Sequence, residues 1–388
     1  MEFWTALFFF CDILLIVSIF LSERACNNIA VFLLVLIFFI SAFRDQIGTD
    51  YDMYVQIFYR TNLNDIDELF GNYLEPGFLA IIGILKAGSF SAQMLFVTSS
   101  GIVLYLLYKG IKYYVKDEKV RLFVFVLYIT CYTQGGFWWG MNGIRQAMAL
   151  SVCLYASTYI LKKQKIKAVL GIIGAMMLHY SAILFFIIFL IPKQRPFVKE
   201  GVIGTIAALS MVISGLAANF FMTFFNVFFS WYGKYDIKVL FTSIGDKAFT
   251  ITTLILIFWY LFALLIDKNK KKTEQYCFIV NMSSLYIIIK TFTSFTLDGA
   301  DIEIIVHRLD SYFLPFFLIF IANAVYELYS KYKQKYICAI MAGVLAVSFS
   351  VCTLKLLYNN MNNSSMAAVI GTSGVNIDYS FNFELLEP

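Results

Sequence analysis

Long apolar runs alternate with short polar stretches along the whole chain. Runs suited to membrane spans lie near residues 3–21, 29–43, 91–109, 120–137, 144–161, 202–219, 249–266, 276–295, 309–327 and 336–357. A helix needs about 20 apolar residues to cross the hydrocarbon of a bilayer, and the longer runs reach that length. The strands of a membrane barrel would instead show segments of about ten residues with alternating polarity. Helices and closed barrels are the structures that satisfy every backbone polar group in hydrocarbon. The pattern therefore predicts an all-α, polytopic transmembrane helical bundle of about 10–13 helices.

Two shorter runs need separate treatment. Residues 168–191 lie between two basic stretches, Lys162–Lys167 and Lys193–Lys199, yet are too few for two full spans. Lys and Arg near span ends stay cytoplasmic, so the flanks predict a re-entrant hairpin of two short helices with its apex at Leu178-His179-Tyr180-Ser181. Residues 76–90, broken by Gly77, Gly83 and Gly88, are expected to be re-entrant as well. The same bias puts Lys109–Lys119, Asp267–Lys272 and Lys331–Lys335 inside. It leaves outside the loops near 44–74, 133–142, 220–247 and 297–307. The opposite sidedness for residues 44–74 is not excluded by charge. One transmembrane domain is expected over 1–358, with 359–388 as a flexible external tail. Phe3–Leu21 lacks a basic n-region and a small-residue cleavage site, so it reads as the first span.

Composition agrees. Of 388 residues, 60% are hydrophobic and 14% charged, against roughly 25% charged in soluble domains. The 41 Phe and 25 Tyr suit a chain whose aromatic side chains line the membrane interfaces. The seven cysteines are scattered through apolar runs without CxxC spacing, the usage of buried inert thiols. Scarce Pro and abundant Lys, Asn, Ile and Phe hint at an AT-rich bacterial gene.

Four polar clusters interrupt the apolar background. The first runs from Arg44 to Tyr54. Thr49 with Asp52 forms a capping-box pattern, so a short helix is expected from Asp50, with Tyr51, Tyr54 and Phe58 on one face. That helix is either an interface anchor along the outer surface or a platform on which carboxylates and aromatic rings hold sugar. Glu75, ahead of Pro76-Gly77, is either a charge complement to a helix N-terminus or an active-site carboxylate. In the second cluster, Asn142, Arg145, Gln146 and Ala149 fall at i, i+3, i+4 and i+7, a polar stripe entering a span. An Arg inside a span costs about 2.5–3.5 kcal/mol on insertion scales, so it snorkels, pairs with a protein anion, or binds a ligand such as phosphate, which its fork matches.

The third cluster is His179-Tyr180-Ser181-Ala182. A His at a hairpin apex is either a satisfied structural residue or a general base, its ordinary pKa being about 6.5. In the fourth, Arg308 opens a span, where a cation opposes the helix dipole unless an anion sits between them. Asp310 or a bound anion would meet that need, and Tyr312 lies beside it. Asp298, Asp301 and Glu303 lack metal-ligand spacing, and the chain has neither GxxxxGK[ST] nor GxGxxG. No metal, nucleotide cofactor or nucleic-acid partner is expected.

In this order, Gly48-Thr49-Asp50-Tyr51-Asp52-Met53-Tyr54, Glu75-Pro76-Gly77, Asn142-Gly143-Ile144-Arg145-Gln146, His179-Tyr180-Ser181-Ala182 and Arg308-Leu309-Asp310-Ser311-Tyr312-Phe313 resemble the EpsG-type branch of the Wzy O-antigen and capsular polysaccharide polymerases. The resemblance covers roughly residues 1 to 330. It implies a membrane glycosyltransferase of GT-C-like architecture in the bacterial inner membrane, acting on its outer face. Such a protein joins oligosaccharide units carried on undecaprenyl diphosphate, in O-antigen, capsule or exopolysaccharide synthesis. A chain-length regulator and a flippase of the same pathway are the implied partners.

On this footing the expected catalytic residues are His179, Arg145, Arg308, Asp50 and Glu75, with His179 as base and Asp50 or Glu75 as rivals. Arg44, Tyr51, Tyr54, Asn142, Gln146 and Tyr312 would bind substrate. Competing expectations are a lipid-linked oligosaccharide flippase, an O-antigen ligase, or an ion-coupled transporter using Asp12. The segment 220–247 matches none of these motifs and would suit a specificity loop.

Overall fold

The computed structural model describes residues 2–48, 50–62, 74–131, 133, 135–213, 251–266, 273–292, 310–332 and 335–362. Among these residues the secondary structure is helical, with no strand. Helices occupy each of the ten predicted spans. They are α1 (Glu2–Ser18), α2 (Glu23–Ala42), α5 (Gln93–Tyr114), α6 (Glu118–Thr130), α8 (Ile144–Leu161), α10 (Val198–Ile213), α11 (Ile251–Ile266), α12 (Glu274–Phe292), α13 (Leu314–Tyr332) and α14 (Lys335–Asn362). Shorter elements intervene: α3 (Tyr51–Arg60), α4 (Pro76–Ala87), α7 (Phe137–Asn142), α9 (Lys165–Leu178) and a 3-10 helix (Tyr180–Phe189). Among the described residues three helices are long and apolar enough to cross a bilayer, Glu23–Ala42, Gln93–Tyr114 and Lys335–Lys355. The chain is a membrane protein.

The chain gathers into two compact units, residues 1–190 with 334–388, and residues 191–333. In the first unit α1 packs on α6 and α14, α2 on α5 and α6, and α8 on α5 and α9. Helix starts follow local chemistry. Ser22 caps α2 by accepting from the Ala25 amide, and Asp117 caps α6 by accepting from the Lys119 and Val120 amides. Ser350 donates to Asp12 at 2.9 Å and Thr353 donates to the Thr130 carbonyl. Asp12, the transporter expectation's acid, is thus a buried hydrogen-bond acceptor between α1 and α14.

Both predicted re-entrant elements take shape as short helices. The 12-residue α4 rises only about 18 Å, short of the roughly 30 Å of hydrocarbon. α9 ends at His179, whose extended backbone (φ −158°, ψ 121°) breaks the helix. The chain then continues as a 10-residue 3-10 helix packed against α9 and α8. Runs of 3-10 helix beyond three or four residues are uncommon, and the apolar pattern does not distinguish this one from an α-helix.

The expected surface helix around residue 51 is corrected in two ways. α3 starts at Tyr51, and Asp50 stands at its N-cap without a side-chain capping bond. Its aromatic face also turns inward. Tyr51, Tyr54 and Phe58 are buried with Phe78 and Ile82 of α4, Phe96 of α5, and Ile144 and Met148 of α8. Tyr51 stacks on Phe96 with centroids 4.7 Å apart. Three aromatic residues on one face of a ten-residue helix supply enough contact to pull it into the bundle.

α4 lies tightly against α9, and Gly77 makes the approach possible. A Cβ there would stand 2.8 Å from the Met177 carbonyl oxygen and 3.0 Å from its carbon, atoms of a backbone that has little room to yield. Gly174 on the same partner helix has nothing within 4 Å of its Cβ position. Gly77→Ala is expected to destabilise the detergent-solubilised protein by about 1–3 kcal/mol through overpacking. Gly174→Ala is expected to stabilise it by about 0.5–1 kcal/mol through helix propensity. Thermal unfolding of the two variants against wild type measures the contrast, and a higher Tm for Gly77→Ala would contradict the close approach.

Candidate active site

Three helix ends meet around one carboxylate. Glu75 is the residue ahead of α4, where Pro76 at the first helical position sets the backbone. Arg145 lies in the first turn of α8, and His179 is the break between α9 and the 3-10 helix. Glu75 Oε2 accepts from Arg145 Nη1 at 2.6 Å, and Oε1 pairs with His179 Nδ1 at 2.7 Å. The Tyr180 amide reaches Oε1 at 3.4 Å. Glu75 therefore does not cap its own helix; both oxygens serve residues from other elements.

The surroundings strengthen the arrangement. The Tyr54 hydroxyl accepts from Arg145, whose guanidinium lies 5.7 Å from the Phe78 ring centre. Arg145 Nε is buried and has no acceptor. Side-chain exposure is 2% for Glu75, 11% for His179 and 19% for Arg145, so Arg145 is the member an incoming anion meets first. Burial pushes the Glu75 carboxyl up, but the His179 hydrogen bond and the Arg145 charge outweigh it and hold the group at about 2. Glu75 is ionised at any neutral pH, a weak base and no acid. His179 is the better-suited proton acceptor, and with Nδ1 directed at an ionised carboxylate its basic nitrogen is Nε2.

The other predicted residues fall in several places. Arg44 is buried, donating to the Ser41 and Met141 carbonyls at 2.6 Å each, with its guanidinium 4.5 Å from the Phe96 ring centre. These contacts make it a strut between the end of α2 and α7. Tyr51 reaches Gln93 Oε1 at 3.4 Å, and Gln93 Nε2 donates to the Ala42 carbonyl at 2.5 Å. The stripe read through Asn142, Arg145, Gln146 and Ala149 is interrupted. Asn142 closes α7, Gly143 (φ −92°, ψ 62°) breaks the helix, and α8 begins at Ile144. Asn142 instead faces Gly48, where φ is +98° and a Cβ would come within 2.0 Å of Asn142 Oδ1. Gly48 thus serves both a left-handed turn and this approach. Gln146 is buried in the first turn of α8.

Arg308 lies outside the described residues, as do Asp298, Asp301, Glu303, His307, the 220–247 segment and the tail beyond 362. Its neighbours are described within the second unit. Asp310 is fully buried and pairs with Lys290 of α12 at 3.0 Å, and Tyr312 is buried beside it. Sequence reasoning missed Lys290, although a lysine in the last turn of an otherwise apolar helix is the kind of signal that asks for an anion. It also missed the Tyr54–Arg145 contact, for which no local spacing gives a cue. Among the described residues no group of three His, Cys, Asp or Glu side chains is placed to hold a metal ion.

Removing one partner from a buried ion pair strands the other, at a cost of about 3–5 kcal/mol. Glu75→Ala is expected to lower stability by that order, and Glu75→Gln by less, since the amide can still accept from Arg145. A carboxyl held below its unfolded value of about 4.3 contributes stability that is complete above that value and lost toward a pH of about 2. The gap between wild type and Glu75→Gln should accordingly close in acid, as read from denaturation midpoints across pH. In the second unit, Lys290→Met alone should destabilise by about 3–5 kcal/mol, while Lys290→Met with Asp310→Leu should recover most of it. No recovery in the double variant would show that the pair is more than a mutual charge balance.

The model described as the EpsG family matches residues 27–365. No curated protein and no solved structure matches the chain. The family match spans most of the sequence and takes in every member of the cluster around Glu75, and so this chain belongs to the EpsG family, a family of Wzy-like polysaccharide polymerases.

Proposed function

We propose that the protein polymerises oligosaccharide repeat units carried on undecaprenyl diphosphate at the outer face of the bacterial inner membrane, as a glycosyltransferase of GT-C-like architecture. The product is an O-antigen, capsular or exopolysaccharide chain. The observation that carries the reading is Arg145. It is a part-exposed guanidinium at a helix N-terminus, with an unsatisfied Nε–H, beside a histidine held by a carboxylate. Arginine suits this post because its fork matches phosphate oxygens and stays charged. The helix N-terminus adds amide dipoles that favour an anion.

In the reaction, the acceptor sugar hydroxyl gives its proton to His179 Nε2 as its oxygen attacks the anomeric carbon of the donor glycan. The bond from that carbon to the diphosphate oxygen breaks, and its electron pair leaves with the lipid diphosphate. Arg145 stabilises the growing charge, and Arg308 is assigned the same work from its place in the family motif. Asn142 and Gln146 orient the donor. Asp50, half-buried at the start of α3, borders the acceptor, and Tyr312 is assigned a substrate contact from its place in the family motif. Flippase and chain-length regulator are the expected pathway partners.

Removing one stabilising donor from such a site costs about 10²–10³ in rate. Arg145→Lys, which keeps a cation against Glu75 but loses the fork, is therefore expected to shorten the polymer ladder sharply on a gel of surface glycan while the protein still reaches the membrane, and Arg145→Ala to abolish it. Near-normal chain length in that variant would end the diphosphate role. Deleting the gene should leave single repeat units on the surface glycan. Complete loss of surface glycan, with lipid-linked units trapped inside, would instead identify a flippase.

A further inference from the structure

Glu75 holds Arg145 with one oxygen and His179 with the other, 2.6 and 2.7 Å away. If Arg145 is the donor's anchor, the donor and Glu75 compete for it. We infer that Glu75 is a positioning residue that couples the two halves of the site: a lipid diphosphate draws Arg145 away from Glu75, and the released carboxylate then acts on His179 alone, making His179 a stronger base once the donor is bound. The inference rests on the reading of Arg145 as the diphosphate ligand.

The geometry supports each step. Arg145 is the most exposed of the three side chains, so an incoming anion reaches its guanidinium first, and its buried Nε–H, without an acceptor among the described residues, gains one only when the side chain turns. Glu75 is almost fully buried and flanked by Pro76, which keeps it facing His179 when Arg145 turns. A carboxylate relieved of a guanidinium regains its charge toward its remaining partner. The other ionisable groups here are Tyr54 from α3, which touches Arg145, and Tyr180, which follows His179. Asp50 and Asp52 stand at the start of α3 and Arg60 at its end, and Lys86, Lys162, Lys165 and Lys167 lie at the far ends of α4, α8 and α9.

The test uses the full chain in detergent and farnesyl diphosphate, a sugar-free polyprenyl diphosphate. Calorimetry gives its Kd. The rate of His179 carbethoxylation across pH, read at that peptide by mass spectrometry, gives the titration midpoint of His179. Farnesyl diphosphate is expected to raise the wild-type midpoint by about one pH unit. Glu75→Gln is expected to bind farnesyl diphosphate several-fold more tightly, to show no such rise, and to lose polymerising turnover by 100-fold or more.

Weaker binding by Glu75→Gln would make Glu75 a mere scaffold for Arg145 and overturn the coupling. So would a midpoint rise that persists in Glu75→Gln, because the diphosphate would then act on His179 directly. A wild-type protein that binds farnesyl diphosphate with no midpoint change overturns the coupling while leaving the donor reading in place. Binding no tighter in wild type than in Arg145→Ala overturns the donor reading and this one together. The wild-type measurement needs no variant, so a Glu75→Gln protein that fails to fold still leaves the inference open to refutation.

Discussion

An ionised carboxylate among apolar helices keeps its charge only where cations and hydrogen-bond donors are brought to it. Glu75 imposes that condition on the first unit, and much of the local architecture answers it. α8 begins one residue before Arg145, so that the guanidinium starts at the level of the carboxylate. α9 stops at His179 rather than running on, which turns the imidazole toward Glu75. Gly77 lets α4 come close enough to α9 for the two to meet. Tyr54, buried under α3, closes the far side of Arg145. The same contacts that settle a charge in a poor solvent also bring an anion-binding side chain and a proton acceptor together.

The second unit solves a similar problem at a different place. Lys290 ends α12 and Asp310 stands ahead of α13, each buried and each the other's counter-ion. Among the described residues Asp310 Oδ1 has no hydrogen-bond partner. Asp310 also lies within the last of the ordered family motifs.

The helices were legible in the sequence because a bilayer demands long apolar runs, and the break at His179 was legible because two basic flanks so close in sequence call for an interruption between them. Charges such as Arg145 and Glu75 were visible as exceptions to an apolar background. Their pairing was not, since Glu75 stands 70 residues from Arg145 and 104 from His179, and no local periodicity spans such a distance. Helical spacing misled where the helix was interrupted. Gly143 separates Asn142 from the stripe it was assigned to. Tyr51, Tyr54 and Arg44 carry chemistry that suits a sugar site, yet the same chemistry serves burial: rings pack, and a guanidinium satisfies carbonyls at a helix end. Sequence alone does not say which use prevails.

The 3-10 winding after His179 sets the reach of the segment that follows. Fourteen residues of α-helix in α9 rise about 21 Å at 1.5 Å each, and ten residues at about 2.0 Å each cover nearly the same distance. Wound as an ordinary α-helix, the same ten residues would fall about 5 Å short. The uncommon winding is thus a matter of length: the shorter helix after His179 reaches almost as far as the longer one before it.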